Sequence, residues 1–180
     1  MEIRVLSINE FKEKVPKDNI KAIIVSSYNN DIKDISGEDK LLLKFDDITY
    51  INTNSFSKLD AKKIKEFVNK IDFEKYQLYI CCDSGVSRSS AIAACIMRKY
   101  GENENIIWKD YSFHPNILVY KILCDEFELK NSKLRLFYKM FINKRALRKR
   151  INKSRIKGIE RIASLSKSLN NTKIEKHIQE

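Results

Sequence analysis

The sequence predicts an α/β domain with a mostly parallel central sheet, followed by a basic helical extension. Three observations carry this. Short apolar runs rich in β-branched residues alternate with segments of helical periodicity, the order that a parallel sheet and its crossover helices produce. One such run ends in a short loop that opens directly into a helix. The charge also divides: residues 1–130 hold 20 Lys and Arg against 21 Asp and Glu, whereas residues 131–180 hold 15 against 3.

Taken in order, Glu2–Ile8 reads as a first strand and Lys21–Ser26 as a second, ending in the turn-rich cluster Ser-Ser-Tyr-Asn-Asn. Leu41–Phe45 is a third, closed by Asp46 and Asp47. Leu59–Ile71 places Ile64, Phe67, Val68 and Ile71 on one face of an amphipathic helix. Tyr76–Cys82 is a fourth strand, followed by a helix over Ser89–Tyr100. Ile117–Leu129 is a further helix, with Asn116 placed to cap it. Residues 1–130 form the α/β domain on this reading. Residues 131–180, without strand signal, form one to three basic helices with a break at Gly158.

Composition excludes several classes. With 43% hydrophobic residues, only four glycines and two prolines, the 180-residue chain has enough apolar material for one core and does not read as disordered. No apolar run reaches the roughly 18 residues of a membrane span, and the N-terminus does not resemble a signal peptide. Cys81, Cys82, Cys95 and Cys124 form no CxxC pair and suggest no secreted disulfide framework, so the chain reads as cytoplasmic, with reduced thiols. His114 and His177, the two histidines, lack metal-site spacing, and no metal or other cofactor is expected.

The chemistry concentrates in Cys82-Asp83-Ser84-Gly85-Val86-Ser87-Arg88-Ser89. A strand feeding a short loop with one glycine and then a helix lets the backbone N–H groups of residues 83–88 converge on an anion. Arg88, six residues beyond Cys82, can fold its planar fork over two phosphate oxygens. A thiol at a helix N-terminus beside an arginine favours its thiolate form. A thiolate facing a bound phosphate is placed for in-line attack, with a phosphocysteine as product.

These residues resemble a family. Cys82–Ser89 matches the C-x5-R-[ST] signature of cysteine-dependent protein tyrosine phosphatases, and Gly85–Ala91 (GVSRSSA) is similar to the dual-specificity branch. Leu-Lys-Phe-Asp-Asp before the loop and Phe113–Asn116 (FHPN) after it resemble small bacterial proteins of that type. The resemblance covers about residues 1–130 and implies four or five strands flanked by helices. It also implies a general acid, an aspartate after a strand some dozens of residues before the cysteine. Asp46 and Asp47 both stand there, with Asp47 preferred and a turn-cap role as the alternative. Ser89 resembles the family hydroxyl that assists the departing thiolate. One position departs: the histidine usual before the nucleophile is replaced by Cys81, which reads as a packed strand residue. A Cys81–Cys82 disulfide would be strained.

The resemblance implies phosphorylated proteins as substrates, because the loop carries Asp83 and lacks the lysines of phosphoinositide-directed relatives. A short domain implies a shallow pocket, open to phosphoserine and phosphothreonine as well as phosphotyrosine. RNA 5′-phosphates remain an alternative substrate, and a catalytically weak phosphate-binding module an alternative function. For the extension, whose densest run is Arg145–Lys157, the readings are a nucleic acid, an anionic membrane, an acidic protein, or a solvated helical face. Phe137, Tyr138 and Phe141 read as burying against the domain, with base stacking as the alternative.

Overall fold

A computed structural model of the chain describes residues 1–15, 18–30 and 39–178, with side chains through residue 149 and at 151, 152, 154–157 and 160. The side chains of Arg150 and Lys153 of the basic run, and that of His177, lie outside the description. Four strands form one parallel sheet: β1 (Ile3–Ser7), β2 (Ile20–Ser26), β3 (Lys40–Lys44) and β4 (Gln77–Cys82), in the order β1-β4-β2-β3. The helices are α1 (Ile8–Lys14), α2 (Lys58–Val68), α3 (Arg88–Lys99), α4 (Asn105–Lys109), α5 (Ile117–Glu126) and α6 (Lys133–Ile178). The chain is therefore an α/β fold with a parallel sheet flanked by helices.

The central strands are apolar over Ala22–Val25 and Leu78–Cys82 because both their faces are covered there. Ile23, Val25, Leu78, Ile80 and Cys82 point to a large core shared with α2, α3 and α5. The alternate residues Ala22, Ile24, Tyr79 and Cys81 point to a smaller one closed by Phe11 of α1. The two-residue period thus sends the adjacent cysteines to opposite faces. All four cysteines are buried and free. Burial raises the pKa of the Cys81 thiol, so it behaves as a packed core residue.

The elements differ from the sequence reading in three places, while the extension is one helix, within the expected one to three. The first strand stops at Ser7, and Ile8 opens α1. Ser7 and Glu10 form a reciprocal capping box that outweighs the β-branched run. The short helix α4 was not anticipated. In the extension, the backbone stays helical through Gly158, because one glycine costs only about 1 kcal/mol of helix propensity.

The start of α6 is anchored to the domain by a buried carboxylate. Glu104 accepts from Tyr120 Oη at 2.6 Å and pairs with Lys139 Nζ at 2.9 Å and with Arg135. Burial alone would raise the pKa of this carboxyl, but the hydrogen bonds from Tyr120, Lys139 and Arg135 outweigh it and hold the group below the usual carboxylate range. Asn143 adds bonds to the Trp108 carbonyl at 3.2 Å and the Phe113 carbonyl at 3.0 Å. These contacts orient Lys139, Asn143 and Ala146 inward. Phe137, Tyr138 and Phe141 consequently face outward, correcting the expectation that they bury against the domain. Among the described residues no helix is long and apolar enough to cross a membrane.

Candidate active site

The site lies at the carboxyl ends of the strands, where open parallel sheets present their crevice. Cys82 ends β4, Ser27 follows β2, Phe45 to Asp47 follow β3, and the loop 83–87 rests on the end of β1. Gly85 makes that rest possible. Its φ is +70°, and a Cβ there would lie 2.6 Å from both Leu6 C and Ser7 N. Backbone atoms cannot yield as a flexible side chain would. Gly85→Ala is therefore expected to destabilise the chain by about 2–3 kcal/mol, read as a fall of about 5–10 °C in Tm.

The loop turns back on itself with Gly85 N–H donating to the Cys82 carbonyl at 3.2 Å. The backbone N–H groups of Ser84, Val86, Ser87, Arg88 and Ser89 donate to no group among the described residues. They belong to the loop and to the first turn of α3, whose dipole adds positive potential. Outer contacts hold the loop in shape: His114 N–H donates to the Val86 carbonyl at 3.0 Å, Asn116 N–H to the Ser87 carbonyl at 3.2 Å, and Ser90 Oγ to the Val86 carbonyl at 2.6 Å.

Cys82 is fully buried, with its Sγ 3.0 Å from Ser89 Oγ. Arg88 is also buried. Its Nη1 donates to the Phe45 carbonyl at 2.7 Å and Ser27 Oγ at 3.1 Å, and its Nη2 to Asp83 Oδ2 at 2.6 Å. Its Nε is buried and has no partner among the described residues. Ser27 Oγ also donates to Asp83 Oδ2, at 2.6 Å. Burial works to raise the Asp83 pKa, and hydrogen bonds from Ser27, Arg88 and Asn30 outweigh it and hold the carboxyl below the usual range. Asp83 thus contributes its side chain to Arg88, a contact that the loop sequence did not reveal.

The two candidate acids separate clearly. Asp46 is occupied by backbone and side-chain donors of neighbouring loops, accepting from Tyr28 N–H after β2 at 3.0 Å and from Asn54 Nδ2 at 3.3 Å. Asp47 is exposed and reaches the loop: its Oδ1 accepts from Ser87 Oγ and from Asn116 Nδ2, both at 2.8 Å. Among the described residues its hydrogen bonds all run through Oδ1. Asn116 was read only as a helix cap. It does cap α5, through Oδ1 to Leu118 N–H at 3.0 Å and Val119 N–H at 3.2 Å. Its Nδ2 meanwhile ties Asp47 and the Ile48 carbonyl to the same spot. Among the described residues no group of three or more His, Cys, Asp or Glu side chains is arranged to hold a metal.

No protein-family model matches this chain, and no curated protein matches it. Among solved structures, a crystal structure of PTPMT1 in complex with PI(5)P aligns with a TM-score of 0.41 at 12% identity, covering 82% of this chain and 94% of that one. A likeness that loose transfers no property from one chain to the other.

Proposed function

We propose that the chain is a cysteine-dependent phosphatase of the protein tyrosine phosphatase type, acting on phosphate monoesters through a phosphocysteine. The observation that carries this reading is the buried Cys82 thiol at the strand end, followed by five backbone N–H groups and a buried Arg88 Nε that have no partner among the described residues. Such a cradle takes a phosphoryl group at the helix N-terminus. Cys82 Sγ attacks phosphorus, and the bond to the ester oxygen breaks as that oxygen takes a proton from Asp47. Water, deprotonated by the same Asp47, then displaces the thiolate, which Ser89 Oγ steadies from 3.0 Å. Binding and charge stabilisation fall to the loop amides and Arg88. The short domain, with Asp83 and no lysine in the loop, favours phosphoserine, phosphothreonine and phosphotyrosine in proteins.

The test is hydrolysis of para-nitrophenyl phosphate by the full chain in EDTA, with rapid quenching to trap phosphate on the chain. Turnover and a phosphoenzyme mapped to Cys82 support the reading. A folded chain that binds inorganic phosphate without turnover identifies it instead as a phosphate-binding module, which the occupation of Arg88 by Asp83 would favour.

Asp47→Asn is expected to lower kcat by about 10²–10³-fold for an alkyl phosphate and much less for a substrate whose leaving oxygen needs no proton. Asp46→Asn should leave the ratio between those two substrates unchanged. If Asp46→Asn alters the ratio and Asp47→Asn does not, the acid is Asp46.

A further inference from the structure

The outward face of α6 has chemistry that the catalytic reading does not use. Leu134, Phe137, Tyr138 and Phe141 are 77%, 68%, 53% and 54% exposed. They recur at i, i+3, i+4 and i+7, which places them on one line along the helix. The same line continues as Lys144, Arg145 and Arg148, all exposed, at i+10, i+11 and i+14. From Lys133 to Ile159 the sequence contains no Asp or Glu. Of its cations, Arg135 and Lys139 are bound to Glu104 on the inward face, whereas Lys144, Arg145 and Arg148 form no salt bridge among the described residues.

We propose that this face docks on an anionic phospholipid bilayer, with Leu134, Phe137, Tyr138 and Phe141 entering the headgroup region and Lys144, Arg145 and Arg148 meeting lipid charges. The stretch from residue 134 to 148 spans about 21 Å, and a flat surface touches both halves at once. Apolar entry and cation attraction are the two forces that hold a helix at a membrane interface. A nucleic acid would engage the cations, but a convex helix provides no groove for a strand, and Leu134 would gain nothing from stacking on bases. The inward face is already committed through Glu104 and Asn143, so docking requires no unfolding. Asn143 bonds to the Phe113 carbonyl, next to His114 of the loop-holding segment, so the docked helix runs beside the candidate site. The proposal itself rests on the helix surface and does not depend on the phosphatase reading.

Flotation of the full chain with vesicles tests it. The chain is expected to float with phosphatidylcholine vesicles containing about 30 mol % phosphatidylserine, and not with phosphatidylcholine alone. The paired changes Phe137→Ser/Phe141→Ser and Lys144→Glu/Arg148→Glu should each weaken that binding at least about tenfold, with Tm unchanged because all four side chains are exposed. No binding to the anionic vesicles overturns the proposal, as does equal binding to neutral ones. Undiminished binding after the phenylalanine changes overturns it in favour of simple charge adsorption. Self-association in solution, or RNA binding, that depends on the same phenylalanines while vesicle binding does not would assign the face to that partner instead.

Discussion

Cys82→Ser is expected to reduce turnover of para-nitrophenyl phosphate by at least about 10⁴-fold while leaving the fold and phosphate binding in place. The substitution exchanges sulfur for a smaller oxygen at a fully buried strand end, 3.0 Å from Ser89 Oγ. Serine can keep that hydrogen bond, so packing loses little. What disappears is the nucleophile, because a hydroxyl ionises far less readily than a thiol and, among the described residues, the side chain hydrogen-bonded to this position is Ser89 and no histidine. Cys81 cannot substitute. It is the next residue back, but the strand's two-residue period turns it toward Phe11 and away from the loop, and burial raises its pKa. The cradle amides are unchanged, so inorganic phosphate should bind the variant about as well as it binds the wild type. Residual activity within about tenfold of wild type would remove Cys82 from the mechanism.

The consecutive part of the site was legible because its chemistry is local. Strand, cysteine, glycine, arginine and helix lie within eight residues, and that order alone implies an anion cradle. The parts contributed from a distance were not legible. Ser27 and the Phe45 carbonyl reach Arg88 only because β2 and β3 end at the same edge of the sheet as β4. Asn116 showed its capping role because caps are read from neighbours in sequence. Its second bond, to Asp47, joins residues 69 apart. Phe137 and Phe141 were misplaced because helical spacing identifies a face without saying which way the face points. That direction was decided by Glu104, whose buried carboxylate draws Lys139 and Arg135 to the opposite side of α6. The signal for α1, Ser7 followed three residues later by Glu10, is local in the sequence, but the β-branched run before it reads as a strand continuing to Ile8.

Arg88 carries the second large expectation, because it is both clamp and structural tie. Arg88→Lys should lower kcat/KM by about 10³-fold, since an ammonium is a point donor that cannot both hold the Phe45 carbonyl and Asp83 and present an N–H to phosphate. Arg88→Met should do at least as much damage to kcat/KM and also reduce stability by about 2–4 kcal/mol at pH 7, because it leaves the Asp83 carboxylate partly buried without its cation. The pH dependence separates this effect from a mere packing defect. In the wild type the Asp83 pKa is depressed, so its contribution is present above the unfolded carboxylate range and is lost as pH falls through the folded value. In Arg88→Met the hydrogen bond and charge of the guanidinium are gone, so the Asp83 pKa rises from its wild-type value and the penalty shrinks as pH falls through it. The stability gap between wild type and Arg88→Met, measured by urea unfolding, should therefore narrow from pH 7 toward pH 4. A gap that stays constant over that range would mean that Asp83 is not the group left uncompensated, and the loss would then belong to the Phe45 and Ser27 contacts alone.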